Sequence, residues 1–157
     1  MRKMLYYVDT SVIGGLEDQE FAKDSMALWQ EFQVGKHKLV LSTHTLRELR
    51  QAPEAVRRHV ANMPAENVIL LDDSQEADDL ARLFLLRGVL GPGSQADAQH
   101  VALAVVGRVD AVVSWNFKHI VNLGRIRLFN AVNLELGYGT MEIRSPKEVL
   151  AYEDEKL

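Results

Sequence analysis

Four short apolar runs punctuate the chain: Leu5-Tyr6-Tyr7-Val8, Lys38-Leu39-Val40-Leu41, Val68-Ile69-Leu70-Leu71 and Ala111-Val112-Val113. Unbroken runs of this length suit strands buried on both faces, whereas apolar positions three and four apart mark one side of a helix. The second pattern fills the gaps. Residues 24–32 predict an amphipathic helix, and Gly35 fits its stop. A polar turn and a short helix with Leu46, Glu48 and Leu49 follow the second run, and another helix starts at Pro53, where a missing amide hydrogen costs nothing. Residues 74–87 place Ala77, Leu80, Ala81, Phe84 and Leu85 on one stripe. Residues 88–93 form a loop, and Ser94 opens a helix whose apolar side carries Val101, Ala104 and Val105. Beyond Trp115 the stretch to Asn133 is mainly helical in pattern, and Thr140-Met141-Glu142-Ile143 suits a last edge strand. Strands alternating with helices predict an α/β fold, a mostly parallel central sheet of four to five strands flanked by helices.

With 157 residues, 47% of them hydrophobic, the chain can bury one sizeable core. It is expected to form a single domain over residues 1–150, with a charged tail at 151–157 that lacks regular structure. No repeat or low-complexity tract interrupts it. The absence of cysteine removes disulfides, thiolate zinc sites and thiol nucleophiles, so any metal must be held by oxygen or imidazole. The apolar run behind Met1-Arg2-Lys3 ends at Asp9, too short for a signal or a membrane span, which predicts a soluble, cytoplasmic protein. The net charge of −4 leaves a polyanionic partner possible. Residues 153–156 contribute −2 and Asp9, Glu48 and Asp97 contribute −3, leaving +1 for the remainder.

Asp9, Glu48, Asp97 and Asn116 each stand where a strand-like run gives way to a helix-like one. In a parallel sheet such junctions share one rim, where distant residues can converge. Each also has a local role open to it. Asp9 can cap the next helix, Glu48 with Thr45 and Asp97 with Ser94 can form capping boxes, and Asn116 can serve a turn. Capping alone does not explain why the polar positions fall at the same end of three strands, with Glu48 close behind a fourth element. Converging carboxylates repel by about 4 kcal/mol at 4 Å and an effective dielectric near 20, which a hard divalent cation relieves.

Three segments, Tyr7-Val8-Asp9-Thr10-Ser11-Val12, Asp97-Ala98-Gln99-His100-Val101-Ala102 and Ser114-Trp115-Asn116-Phe117-Lys118-His119-Ile120, together with Glu48 in Thr45-Leu46-Arg47-Glu48-Leu49, resemble the PIN-domain ribonucleases, most closely the VapC-type toxins of toxin–antitoxin pairs. The resemblance runs from about Met4 to Glu148. It implies a PIN-like domain, a Mg²⁺ or Mn²⁺ site, endonucleolytic hydrolysis of RNA and inhibition by an antitoxin protein. On that likeness Asp9, Asp97 and Glu48 are the metal residues, and Asn116 completes the catalytic set. Thr10 and Ser114 are placed to position a carboxylate or the scissile phosphate. Many members of the family have aspartate where Asn116 stands; an amide adds no charge, which puts a full second metal site in question.

Other assignments are weaker. Ser11 stands where an aspartate-nucleophile phosphotransferase needs a second aspartate, and Gly91-Pro92-Gly93-Ser94 lacks the lysine of a phosphate loop. His44 and Glu48 have helical spacing for one metal, but no second histidine completes H-E-x-x-H, and His44 can equally precede the helix. Arg47, Arg50, Arg57 and Arg58, and Lys118, Arg125 and Arg127, are candidate RNA-backbone contacts or simply solvated faces. Leu28, Trp29 and Phe32 belong to the core or, if exposed, to an antitoxin or homodimer surface. A catalytically inactive PIN-scaffold module that binds RNA or a partner is the competing function, with Asn116 its best support.

Overall fold

In a computed structural model of the chain, residues 2–156 are described, with side chains through Glu153. In chain order the elements are β1 (Leu5–Val8), α1 (Thr10–Gly15), α2 (Ala22–Gln33), β2 (Lys38–Ser42), α3 (Thr43–Leu49), α4 (Glu54–Ala61), β3 (Val68–Leu71), α5 (Gln75–Leu86), α6 (Gln95–Val106), β4 (Ala111–Val113), α7 (Leu123–Glu135), β5 (Glu142–Arg144) and α8 (Pro146–Lys156). The five strands form one sheet in the order β3-β2-β1-β4-β5, every neighbouring pair parallel. Tyr7 lies opposite Val40 on one side and Val112 on the other, and Val112 opposite Ile143.

Because successive residues of a strand face opposite sides, the apolar runs feed two cores. Tyr7, Val40, Val112 and Ile143 pack with Leu80 and Phe84 of α5, Val101 and Val105 of α6, and Phe129 and Val132 of α7. Tyr6, Val8, Leu39, Leu41, Ala111 and Val113 pack on the other side with Val12 and Ile13 of α1, Leu28, Trp29 and Phe32 of α2, Val56 of α4 and Val149 of α8. Leu28, Trp29 and Phe32 are wholly buried and therefore belong to the core. Full burial of a side chain such as Phe32 or Phe84 stabilises the fold by about 1.5–3 kcal/mol.

Helix α2 stops as its sequence suggests. Gly35 adopts φ +77°, the Lys36 amide bonds the Glu31 carbonyl at 2.9 Å and the Gly35 amide bonds that of Phe32 at 3.1 Å, the paired bonds of a Schellman motif. Two stretches differ from the sequence expectation. Residues 116–121 are turns rather than helix, and α7 begins only at Leu123, after Asn122 accepts the Arg125 amide at 3.2 Å. Short polar side chains have taken backbone bonds that a helix needs. The segment set aside as a charged tail carries α8 through Lys156. Within it Glu153 meets Lys36 at 2.9 Å and His37 at 2.8 Å, so the chain is held there by charge; Leu157 lies outside the described residues.

The chain builds β1, β2 and β3 outward in one direction and then returns to place β4 and β5 on the other side of β1. The crevice beyond the carboxyl ends of β1 and β4 is the topological switch point, where open parallel sheets bind their ligands. Among the described residues no helix is long and apolar enough to cross a membrane.

Candidate active site

Asp9 follows the last residue of β1 and Ser114 the last residue of β4, so the sheet register sets the two side by side; the Asp9 amide bonds the Val113 carbonyl at 3.3 Å. Asp9 occupies the N-cap position of α1 but makes no side-chain capping bond. It accepts the Ser11 hydroxyl at 2.5 Å and the Ser114 hydroxyl at 2.6 Å. It is 3% exposed, and burial pushes its carboxyl up from the usual aspartate range, opposed by the nearby His100 and by the two hydroxyls. Among the described residues no lysine or arginine is paired with it. A buried carboxylate that meets hydroxyls and a neighbouring imidazole but no lysine or arginine is a group that a cation would stabilise.

The Ser114 hydroxyl also accepts the Asn116 amide at 2.9 Å, and the Asn116 side chain donates to Asp97 at 3.2 Å. Asp9, Ser114, Asn116 and Asp97 thus form one continuous relay. The side-chain oxygen of Asn116 accepts the His119 amide at 2.9 Å, which turns its NH₂ toward Asp97; the second oxygen of Asp97 meets His119 Nδ1 at 3.1 Å. Asn116 consequently orients Asp97 by donating to it. The capping-box alternative for Asp97 fails, because Ser94 starts α6 without any side-chain cap bond.

Glu48 approaches from α3. That helix is capped by Ser42, whose hydroxyl accepts the Thr45 amide at 3.1 Å, so Thr45 is an interior residue and forms no capping box with Glu48. Glu48 instead accepts a short hydrogen bond from the Thr10 hydroxyl and a 2.6 Å bond from His100 Nε2. Burial alone would push its carboxyl up, but His100, Thr10 and His44 hold it down at about 2. Thr10 and Ser114 therefore both direct their hydroxyl hydrogens at carboxylates.

The four residues singled out in the sequence reach one rim, yet not one tight cluster. Among the described residues, the sets of three or more acidic or imidazole groups whose ligand atoms all lie within 4.8 Å of one another are His44, Glu48 and His100, and Glu31, His37 and Glu153. Neither contains Asp9 or Asp97. In the sequence His44 pairs with Glu48 only as a weak candidate for one metal, and nothing there brings His100 to them. His100 is three residues after Asp97 on α6, and His44 lies inside α3, four residues before Glu48. Those spacings were visible; that α3 and α6 face each other was not. A cavity of about 370 Å³ lined by Tyr6, Asp110, Glu142 and Arg144 holds none of these groups.

Of the basic residues, Arg47 pairs with Asp73, Arg58 with Glu54, and Arg125 bonds the Val89 carbonyl. Lys118 is exposed on the turn that carries Asn116, and Arg50, Arg57 and Arg127 are exposed as well. Phe117, half exposed, stands beside Trp115, which stacks on Phe21 with ring centroids 4.5 Å apart.

No protein-family model matches the sequence, and no curated protein matches it. Several solved structures resemble the fold, and two of them are informative. VapC20 from Mycobacterium tuberculosis, described as a sarcin-ricin loop cleaving toxin, superposes with a TM-score of 0.57 at 17% identity, covering 73% of this chain and 92% of its own. A chain of the Rickettsia felis VapBC2 complex, solved bound to a DNA fragment from its promoter, superposes with a TM-score of 0.58 at 12% identity, covering 90% of this chain and 98% of its own. The five parallel strands, their order about the β1–β4 crevice and these two likenesses give the chain the PIN-like α/β fold of the VapC-type toxins.

Proposed function

We propose that the chain is an endoribonuclease dependent on Mg²⁺ or Mn²⁺, and that it acts as the toxin of a toxin–antitoxin pair. One observation carries this reading: a buried Asp9 at the switch point with no lysine or arginine paired to it among the described residues, joined through Ser114 and Asn116 to Asp97. The donors are hard oxygens, which suit those two ions better than softer ones. Asp9 and Asp97 would hold the ion, directly or through water. Once bound, it supplies a Lewis acid that offsets charge growing on a phosphate and makes water more acidic.

The protein's own groups do the rest. Ser11 and Ser114 fix the rotamer of Asp9, and Asn116 and His119 fix that of Asp97. Glu48, ionised at any physiological pH, orients a water as a hydrogen-bond acceptor rather than storing a proton. Lys118, on the same turn as Asn116, is placed to meet the RNA backbone. The name of the similar VapC20 supports RNA as the substrate, and the named VapBC2 assembly supports an antitoxin partner. Such a partner can seal the acidic rim with an arginine. A homodimer and a cytoplasmic setting belong to the same proposal.

The test is cleavage of a labelled RNA panel by EDTA-treated protein before and after addition of Mg²⁺ or Mn²⁺. Cleavage is expected only with the ion, and to fall roughly a hundredfold or more in Asp9→Asn and Asp97→Asn. Undiminished cleavage by folded Asp97→Asn refutes the assignment. Ion binding by a wild type that cuts no RNA favours the competing module, for which the neutral Asn116 is the specific support.

A further inference from the structure

We propose that His44, Glu48 and His100 form a second metal site, for a borderline transition-metal dication of the Zn²⁺ and Co²⁺ class, beside the oxygen pocket of Asp9 and Asp97. His44 and Glu48, four residues apart, project from the same side of α3, and His100 reaches them from α6. His100 Nε2 lies 2.6 Å from one oxygen of Glu48, and His44 Nε2 lies 3.9 Å from the other. Ligand atoms around a tetrahedral ion with bonds of about 2.0–2.1 Å stand roughly 3.3 Å apart, so the observed separations straddle the required one.

His44 supplies an independent observation. Its Nε2 is buried and has no hydrogen-bond partner, and its ring packs edge-on against that of His100 with centroids 4.6 Å apart. The orphaned nitrogen lies 3.9 Å from Glu48 Oε2, too far for a hydrogen bond. His100 is buttressed through its second ring nitrogen. Its Nδ1 meets the Tyr7 hydroxyl at 2.7 Å, and that hydroxyl meets Ser42 Oγ at 2.8 Å. Metal-binding histidines characteristically use the second ring nitrogen in this way, which fixes tautomer and ring orientation. Two imidazoles and one carboxylate favour Zn²⁺, Co²⁺ or Ni²⁺ over Mg²⁺ and leave a fourth position for water. The cluster of Glu31, His37 and Glu153 lacks this character: His37 Nε2 already bonds both carboxylates, and Lys36 pairs with both.

Glu48 cannot serve both sites fully. An ion held by the histidines draws Glu48 from Thr10, so Zn²⁺ is expected to inhibit the Mg²⁺-dependent reaction; this consequence rests on the nuclease reading, whereas the binding does not.

The experiment titrates Co²⁺ alone into the EDTA-treated full chain. One equivalent should produce the intense visible absorption of a four-coordinate site, equally in wild type and Asp97→Asn. His44→Gln, checked for folding by circular dichroism, should bind at least tenfold more weakly. Proton NMR of Co²⁺-loaded wild type should show two paramagnetically shifted, exchangeable imidazole N–H signals, which decides the matter if the variant misfolds. The proposal is overturned if wild type binds no Co²⁺, if no imidazole signal shifts, or if Asp97→Asn abolishes binding while His44→Gln does not. Tight Co²⁺ binding through the histidines by a chain that cuts no RNA leaves this site standing and removes the nuclease reading.

Discussion

Replacing Asn116 with aspartate would set a new negative charge against Asp97 and withdraw the amide hydrogens that now hold it. Asn116→Asp is therefore expected to destabilise the metal-free protein by about 1–2 kcal/mol, the side chains being partly screened by water. Saturating Mg²⁺ should return most of that loss, as followed by thermal unfolding with and without the ion. Glu48 responds to pH in a defined direction. Its carboxyl, ordinarily at 4.5, is held at about 2 in the folded protein. Because the folded value is the lower one, the stabilisation is complete above the unfolded value and is lost as pH falls toward 2. Urea unfolding from about pH 6 down to about pH 3 should show wild type losing more stability than Glu48→Gln; parallel losses would mean that His100 and Thr10 do not hold the ionised form. At this scale Asp9 and Asp97 were legible because each ends or begins an element. Ser114, which bonds Asp9 from 105 residues away, was legible as a hydroxyl placed to position a carboxylate, whereas the pairing of His100 with Glu48 across 52 residues was not.

Local sequence signals foretold the elements well where the backbone governs, and less well where tertiary partners compete. The α2 stop is of the first kind. At Gly35, with φ +77°, an added Cβ would also meet Asn67 Oδ1 at 3.1 Å. Gly35→Ala should cost about 1 kcal/mol or more, read as a lower urea midpoint with an unchanged slope. The capping boxes open to Glu48 and Asp97 as local alternatives are of the second kind. Glu48 and Asp97 have the right offsets from Thr45 and Ser94, yet both carboxylates turn to partners on other elements. The turns at 116–121 arose in the same fashion, from Asn116 using its side chain on the His119 amide and on Asp97.

For the molecule as a whole, the alternation of apolar runs and helical stretches was enough to specify a parallel α/β sheet, but strand order was not written in any one segment. The last helix shows the limit of composition as a guide: residues 151–156 look like a solvated tail, yet Glu153 bridges Lys36 and the buried His37. Truncation after Leu150 should remove about 1–2 kcal/mol, a fall of roughly 3–6 °C in Tm by differential scanning calorimetry. An unchanged Tm would return these residues to the status of an appendage. The central position of β1 has a consequence for synthesis. This first strand gains its β4 neighbour only when residues 111–113 are made, and Asn116 and His119 follow still later. On the ribosome, a chain that has emerged only as far as α6 carries its acids without the wall that gathers them. If the proposed ribonuclease reading holds, such a nascent fragment should be harmless to the transcript from which it is being translated.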